Sequence, residues 1–71
     1  MNVYCNQQVS EEILQEGDWV VHSDKEIVAV GIGAGCNTIY IGDEIDSIRP
    51  SLFAPSVEDA LRFISAHEKV T

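Results

Sequence analysis

Glu26-Ile27-Val28-Ala29-Val30-Gly31-Ile32 is the stretch whose conformation decides the fold. It is apolar and rich in β-branched side chains, and it reads as a strand. Side chains alternate along a strand, so Val28, Val30 and Ile32 take one face and Ile27, Ala29 and Gly31 the other. Upstream, residues 18–23 read as another strand, with Trp19 and Val21 opposite Val20 and His22. The polar break Ser23-Asp24-Lys25-Glu26 between them has hairpin length. Downstream, Gly33-Ala34-Gly35-Cys36-Asn37 reads as a turn, since Gly and Asn tolerate positive φ. Residues 38–42 then form a third strand, with Ile39 and Ile41 opposite Tyr40. Both connections look too short for a crossover helix, so the expected sheet is an antiparallel meander.

Working outward, Val3 and Cys5 alternate with Asn2 and Tyr4 as in a short edge strand, which would make the sheet four-stranded. Ser10 is a natural N-cap for a brief helix over residues 11–16, closed by Gly17. Residues 43–55 read as an acidic turn followed by an irregular connection with Leu52 and Phe53 as apolar plugs, since Pro50 and Pro55 push Arg49 and Ala54 toward extended geometry. At the far end Ser56 caps a helix, and Asp59 completes a capping-box variant. Val57, Ala60, Leu61 and Ile64 fall on one helical face, with Glu58 and Arg62 paired on the wet side and Lys69 at the basic end. The expectation is one small α+β domain over 1–71: an antiparallel sheet, a C-terminal helix on one face and a short N-terminal helix. The helix would seat on Val28, Val30, Ile32, Ile39 and Ile41. That leaves Ile27, Ala29 and Tyr40 on an apolar reverse face. The N-terminal segment, a second copy of the chain or a different protein would cover it.

The 71 residues carry 12 acids against 4 bases, a formal net charge of −8. Direct binding to nucleic acid and to anionic membranes is disfavoured, because no basic patch exists to displace counterions. A basic protein surface would be steered toward the chain. No run approaches the ~20 apolar residues of a membrane span. Residues 1–8 lack a basic region followed by an apolar run, so no secretory signal is read there and a cytoplasmic chain is expected. Cys5 and Cys36 are then expected as free thiols.

Most familiar chemistry fails on spacing. Gly31-x-Gly33-x-Gly35 suggests a dinucleotide loop, but that pattern needs glycine where Cys36 stands and a helix where a strand follows. Cys5, His22, Cys36 and His67 are a zinc inventory without a zinc spacing. Asp43, Glu44 and Asp46 fail the calcium-loop pattern at Ile48 and Ala54. No cofactor and no metal are expected. A thiol nucleophile, Cys36 with His22 as base in a dimer cleft, is the minor enzyme alternative.

The acids are what remain. Glu11, Glu12, Glu16 and Asp18 cluster before any base occurs, and Asp43, Glu44 and Asp46 follow later. Glu12 and Glu16 repel each other at i,i+4, so stability does not explain them. The expected function is a non-catalytic module that occludes a basic surface of a partner, including one built to hold nucleic-acid phosphates. The alternative is a homodimer whose seam is Ile27, Ala29 and Tyr40.

Overall fold

The stretch 26–32 is helical. In the computed structural model, which describes residues 2–68, Lys25–Gly33 form helix α1. Asp24 is its N-cap: the backbone there is extended, and the side chain accepts the Glu26 N–H at 2.9 Å. Its other end is a Schellman stop. Ala34 is the C-cap, Gly35 follows at φ +79°, the Gly35 N–H donates to Ile32 O at 3.1 Å and the Cys36 N–H to Gly31 O at 3.0 Å. The expected glycine hairpin is therefore a helix terminus.

This overturns the antiparallel meander. Strands β1 (Val3–Cys5), β2 (Trp19–His22), β3 (Asn37–Ile41) and β4 (Leu52–Ala54) form one sheet in the order β1-β2-β3-β4, and every neighbouring pair is parallel. The architecture is α/β rather than α+β. Parallel pairing needs a crossover of roughly ten residues or more. Reading 26–32 as a strand removed that crossover; as a helix with its caps, residues 23–36 supply it. Two other expectations also fall. Residues 11–16 form turns rather than a helix, with Ile13 N–H donating to Ser10 O and Asp18 N–H to Gln15 O. So short a helix, carrying Glu12 and Glu16 at repelling positions, has too little to nucleate it. Leu52 and Phe53 are not loop plugs but the body of β4.

Register aligns Val3 with Trp19 and Asn37, and Tyr40 with Phe53. One sheet face thus presents Val20, Thr38, Tyr40 and Phe53; the other presents Trp19, Val21, Ile39 and Leu52. α1 lies on the first. A Cβ on Gly31 would stand 2.9 Å from both Val20 Cγ2 and Thr38 Cγ2, so only glycine admits this approach. Helix α2 (Val57–Glu68) covers the second face, where Ala60 and Ile64 pack with Trp19, Val21, Ile39 and Ala54. Ser56 caps α2 as expected: its hydroxyl accepts the Asp59 N–H and donates to Asp59 Oδ2, both at 3.2 Å. Leu61 was expected in the core but is 44% exposed. Lys69, expected at the helix's basic end, lies outside the described residues.

Right-handed crossovers between consecutively ordered parallel strands all fall on one face. The connections 6–18 and 42–51 accordingly flank α1. Glu11 Oε1 lies 3.5 Å from where a Gly33 Cβ would be, and the Cys36 thiol donates to Gln15 O at 3.4 Å. Thr38 N–H donates to Ser51 Oγ and Ser51 N–H to Thr38 Oγ1, which pins the entry to β4. α2 follows the last strand and is free to cross to the opposite side.

Both faces of the sheet are covered, so the apolar reverse face that motivated a dimer seam does not exist. Ile27 and Ala29 sit on α1, half-buried and exposed respectively. Tyr40 stays on β3 and packs edge-on against Phe53, with ring centroids 5.9 Å apart. The three residues share no sheet face.

Candidate protein-binding surface

The topology sorts the charges by side. The layer containing α1 and its flanking connections carries Glu11, Glu12, Glu16, Asp24, Glu26, Asp43, Glu44 and Asp46, against Lys25 and Arg49 as its bases. All these acids are exposed. The side formed by α2 carries Glu58, Asp59 and Glu68, and these have local partners. Arg62 pairs with Glu58 at 2.9 Å and approaches Asp59 at 3.8 Å; Glu68 Oε1 accepts the Trp19 indole N–H at 3.0 Å. Those two contacts of Arg62 are the ion pairs among the described residues. The acids of the α1 layer are in none of them.

Asp18 leaves the expected set. It is 2% exposed, and its two carboxylate oxygens accept the Asn2 and Gln15 N–H groups, each at 3.0 Å. Its own carbonyl accepts the Asn37 N–H. Asp18 therefore ties the entry of β1 and the 10–17 turns to the start of β3, and its burial puts it out of reach of a partner. Glu11, Glu12 and Glu16 remain on the surface, and Ile13 beside them is 48% exposed.

The second acidic cluster borders a cleft that the sequence reading missed. Residues 44–50 and Phe53 form a half-open cleft of about 340 Å³, lined by Glu44, Ile45, Asp46, Ile48, Arg49, Pro50 and Phe53. Ile45, Ile48, Pro50 and Phe53 are half-buried, whereas Glu44, Asp46 and Arg49 are exposed. The cleft thus combines half-buried apolar side chains with exposed charged ones. The spacing of Ile45 and Ile48 was visible in the sequence. That they would face Phe53 depends on the β3–β4 register, which was not.

The thiol–imidazole pair is not assembled. Cys36 precedes Asn37, which pairs with Trp19 at the start of β2, while His22 ends that strand. The offset along the strands is on the order of 10 Å. Burial, and then the nearby Asp18 carboxylate, push the Cys36 thiol above its ordinary 9.0, the opposite of what a nucleophile needs. His22 Nδ1 accepts the Asp24 N–H at 2.8 Å, so this nitrogen is occupied in holding the entry to α1. Cys5 on β1 is separated from β3 by the whole of β2. Two strand spacings are roughly 9.6 Å, beyond the reach of a disulfide to Cys36. Gly31 and Gly33, read as elements of a dinucleotide pattern, lie inside α1, and Gly31 is pressed on the sheet. Among the described residues no group of three or more His, Cys, Asp or Glu is placed to hold a metal, and no helix is long and apolar enough to cross a membrane.

Comparison with protein-family models, with curated proteins and with solved structures finds no match for the chain.

Proposed function

We propose that the chain is a non-catalytic binding module that docks a basic protein surface against its α1 side. Glu11, Glu12 and Glu16 on one flank and Asp43, Glu44 and Asp46 on the other supply the contacts. The observation that supports this most is charge sidedness: exposed carboxylates without ion-pair partners among the described residues gather on one layer, while those of the α2 side are locally engaged. Interspersed Ile13 and Ile32, 48% and 37% exposed, supply apolar contacts within the charged surround, the arrangement that excludes water at protein interfaces. A partner that ordinarily grips nucleic-acid phosphates would meet carboxylates in their place and be occluded. Nucleic acid itself, a polyanion, is repelled by a net −8. A reducing cytoplasm suits two thiols that cannot bridge.

The test is partner binding against ionic strength. Protein captured from the native host is purified and titrated with the chain at low and high salt. Affinity is expected to fall by about tenfold or more, with the loss mainly in association rate. Glu11→Gln combined with Glu12→Gln and Glu16→Gln should reproduce part of that loss at low salt. Binding indifferent to both salt and these substitutions refutes the reading.

A further inference from the structure

The geometry points to the cleft at residues 44–50 as the anchor of the interface, a seat for one arginine or lysine side chain of the basic partner. This rests on the proposed function and names where its specificity lies. Such a side chain is amphipathic: an aliphatic stem that gains by leaving water and a charged head that must stay solvated or paired. The cleft has matching parts. Ile45, Ile48, Pro50 and Phe53 are its half-buried apolar lining. Tyr40 packs edge-on against the Phe53 ring and holds it in place. Glu44 and Asp46 line it too and are exposed, with Asp43 next in the chain. A cleft of about 340 Å³ has room for one long side chain.

Arg49 also lines the cleft, and it decides between guests. A cationic guest is attracted by Glu44 and Asp46 and repelled by Arg49. A carboxylate guest reverses every sign. The surrounding layer is strongly acidic, so the cation is favoured.

The probe is a blocked pentapeptide with a central arginine among glycines, together with its citrulline and glutamate twins. Each is titrated into the full chain and followed by backbone amide shifts. The arginine peptide should shift residues 44–50 and Phe53 with saturation, and the citrulline twin should bind more weakly. Glu44→Gln with Asp46→Asn should weaken the arginine peptide by about fivefold, as expected for two partly exposed charge pairs. Arg49→Gln should tighten it about twofold. These side chains are exposed, and retained amide dispersion confirms that the variants fold. Equal binding of arginine and citrulline overturns the inference, as does preference for glutamate, loss of affinity in Arg49→Gln, or shifts that avoid 44–53. The Glu11, Glu12 and Glu16 substitutions should leave the peptide constant unchanged. If the full partner binds salt-sensitively while no peptide enters the cleft, the anchor fails and the module stands. If the peptide binds and the full partner is salt-insensitive, the module fails instead.

Discussion

Gly31 and Gly33 lie two positions apart on α1 and face opposite consequences. A methyl at Gly31 meets Val20 and Thr38 at 2.9 Å, and these are sheet side chains with nowhere to retreat. A methyl at Gly33 meets only Glu11 Oε1 at 3.5 Å, an ordinary contact with the end of a flexible side chain. Gly31→Ala should therefore destabilise by about 1–3 kcal/mol through overpacking. Gly33→Ala should be neutral or stabilising by up to ~1 kcal/mol, since it removes unfolded-chain freedom. Urea midpoints of the two variants check this, and equal effects would contradict the packing of α1. At Asp18, replacement by Asn leaves one acceptor oxygen for two backbone donors and turns an NH2 group toward the other. A loss of about 1–3 kcal/mol follows. Cys36 gives a pH dependence. Its folded value lies above the ordinary 9.0, so the folded chain retains a proton that the unfolded chain releases. That contribution to stability is full below about pH 9 and is lost as pH rises through the folded value. Alkylation of Cys36 in the folded chain should correspondingly be slower than in urea at the same pH, and a faster folded-state rate would contradict the shift.

At the scale of elements, α1 shows why one segment misdirects a whole topology. Residues 26–32 are apolar and β-branched like a strand, and contain a glycine that lowers helix propensity. Their helical state is set by what lies at the ends and beneath. Asp24 caps one end, Gly35 adopts φ +79° at the other, and Gly31 lets the axis close on Val20 and Thr38. The caps were legible as residues; the close approach was not, because it needs β2 and β3 already paired. By contrast β2, β3 and α2 were readable from pattern alone. The apolar runs at Trp19–His22 and Asn37–Ile41 meet no competing signal, and Ser56 with Asp59 marks a helix start chemically. The acidic positions of the candidate site were equally readable, except that a carboxylate used as a backbone acceptor, like Asp18, looks the same in sequence as one left in water. Asp24→Ala should cost about 1 kcal/mol by removing the cap. Gly35→Ala should cost about 1–2 kcal/mol by forcing a Cβ into the left-handed region. Chemical denaturation measures both. A neutral Asp24→Ala would argue that α1 does not begin there.

The described residues span 31 × 28 × 18 Å, and the acids without an ion pair among them lie on one broad side. At about 0.01 M salt the screening length is roughly 30 Å, so each of these carboxylates feels all the others; at about 0.1 M it is roughly 10 Å, and only neighbours interact. The folded chain concentrates this charge more than the unfolded chain does, and the free protein therefore carries a repulsive strain that a basic partner would relieve. Two consequences separate this from a surface merely kept soluble. Raising salt over that range should raise the melting temperature by several degrees, since for a chain of this size ~1 kcal/mol corresponds to about 4–8 °C. Glu12→Gln with Glu16→Gln should raise it at low salt and lose the advantage at high salt, whereas Glu58→Gln, which breaks the pair with Arg62, should do neither. Thermal melts across a salt series read all of this in one experiment. A melting temperature that stays flat or falls with added salt would mean that the acids do not oppose folding as a group, and their placement would then give no physical reason to assign them a partner.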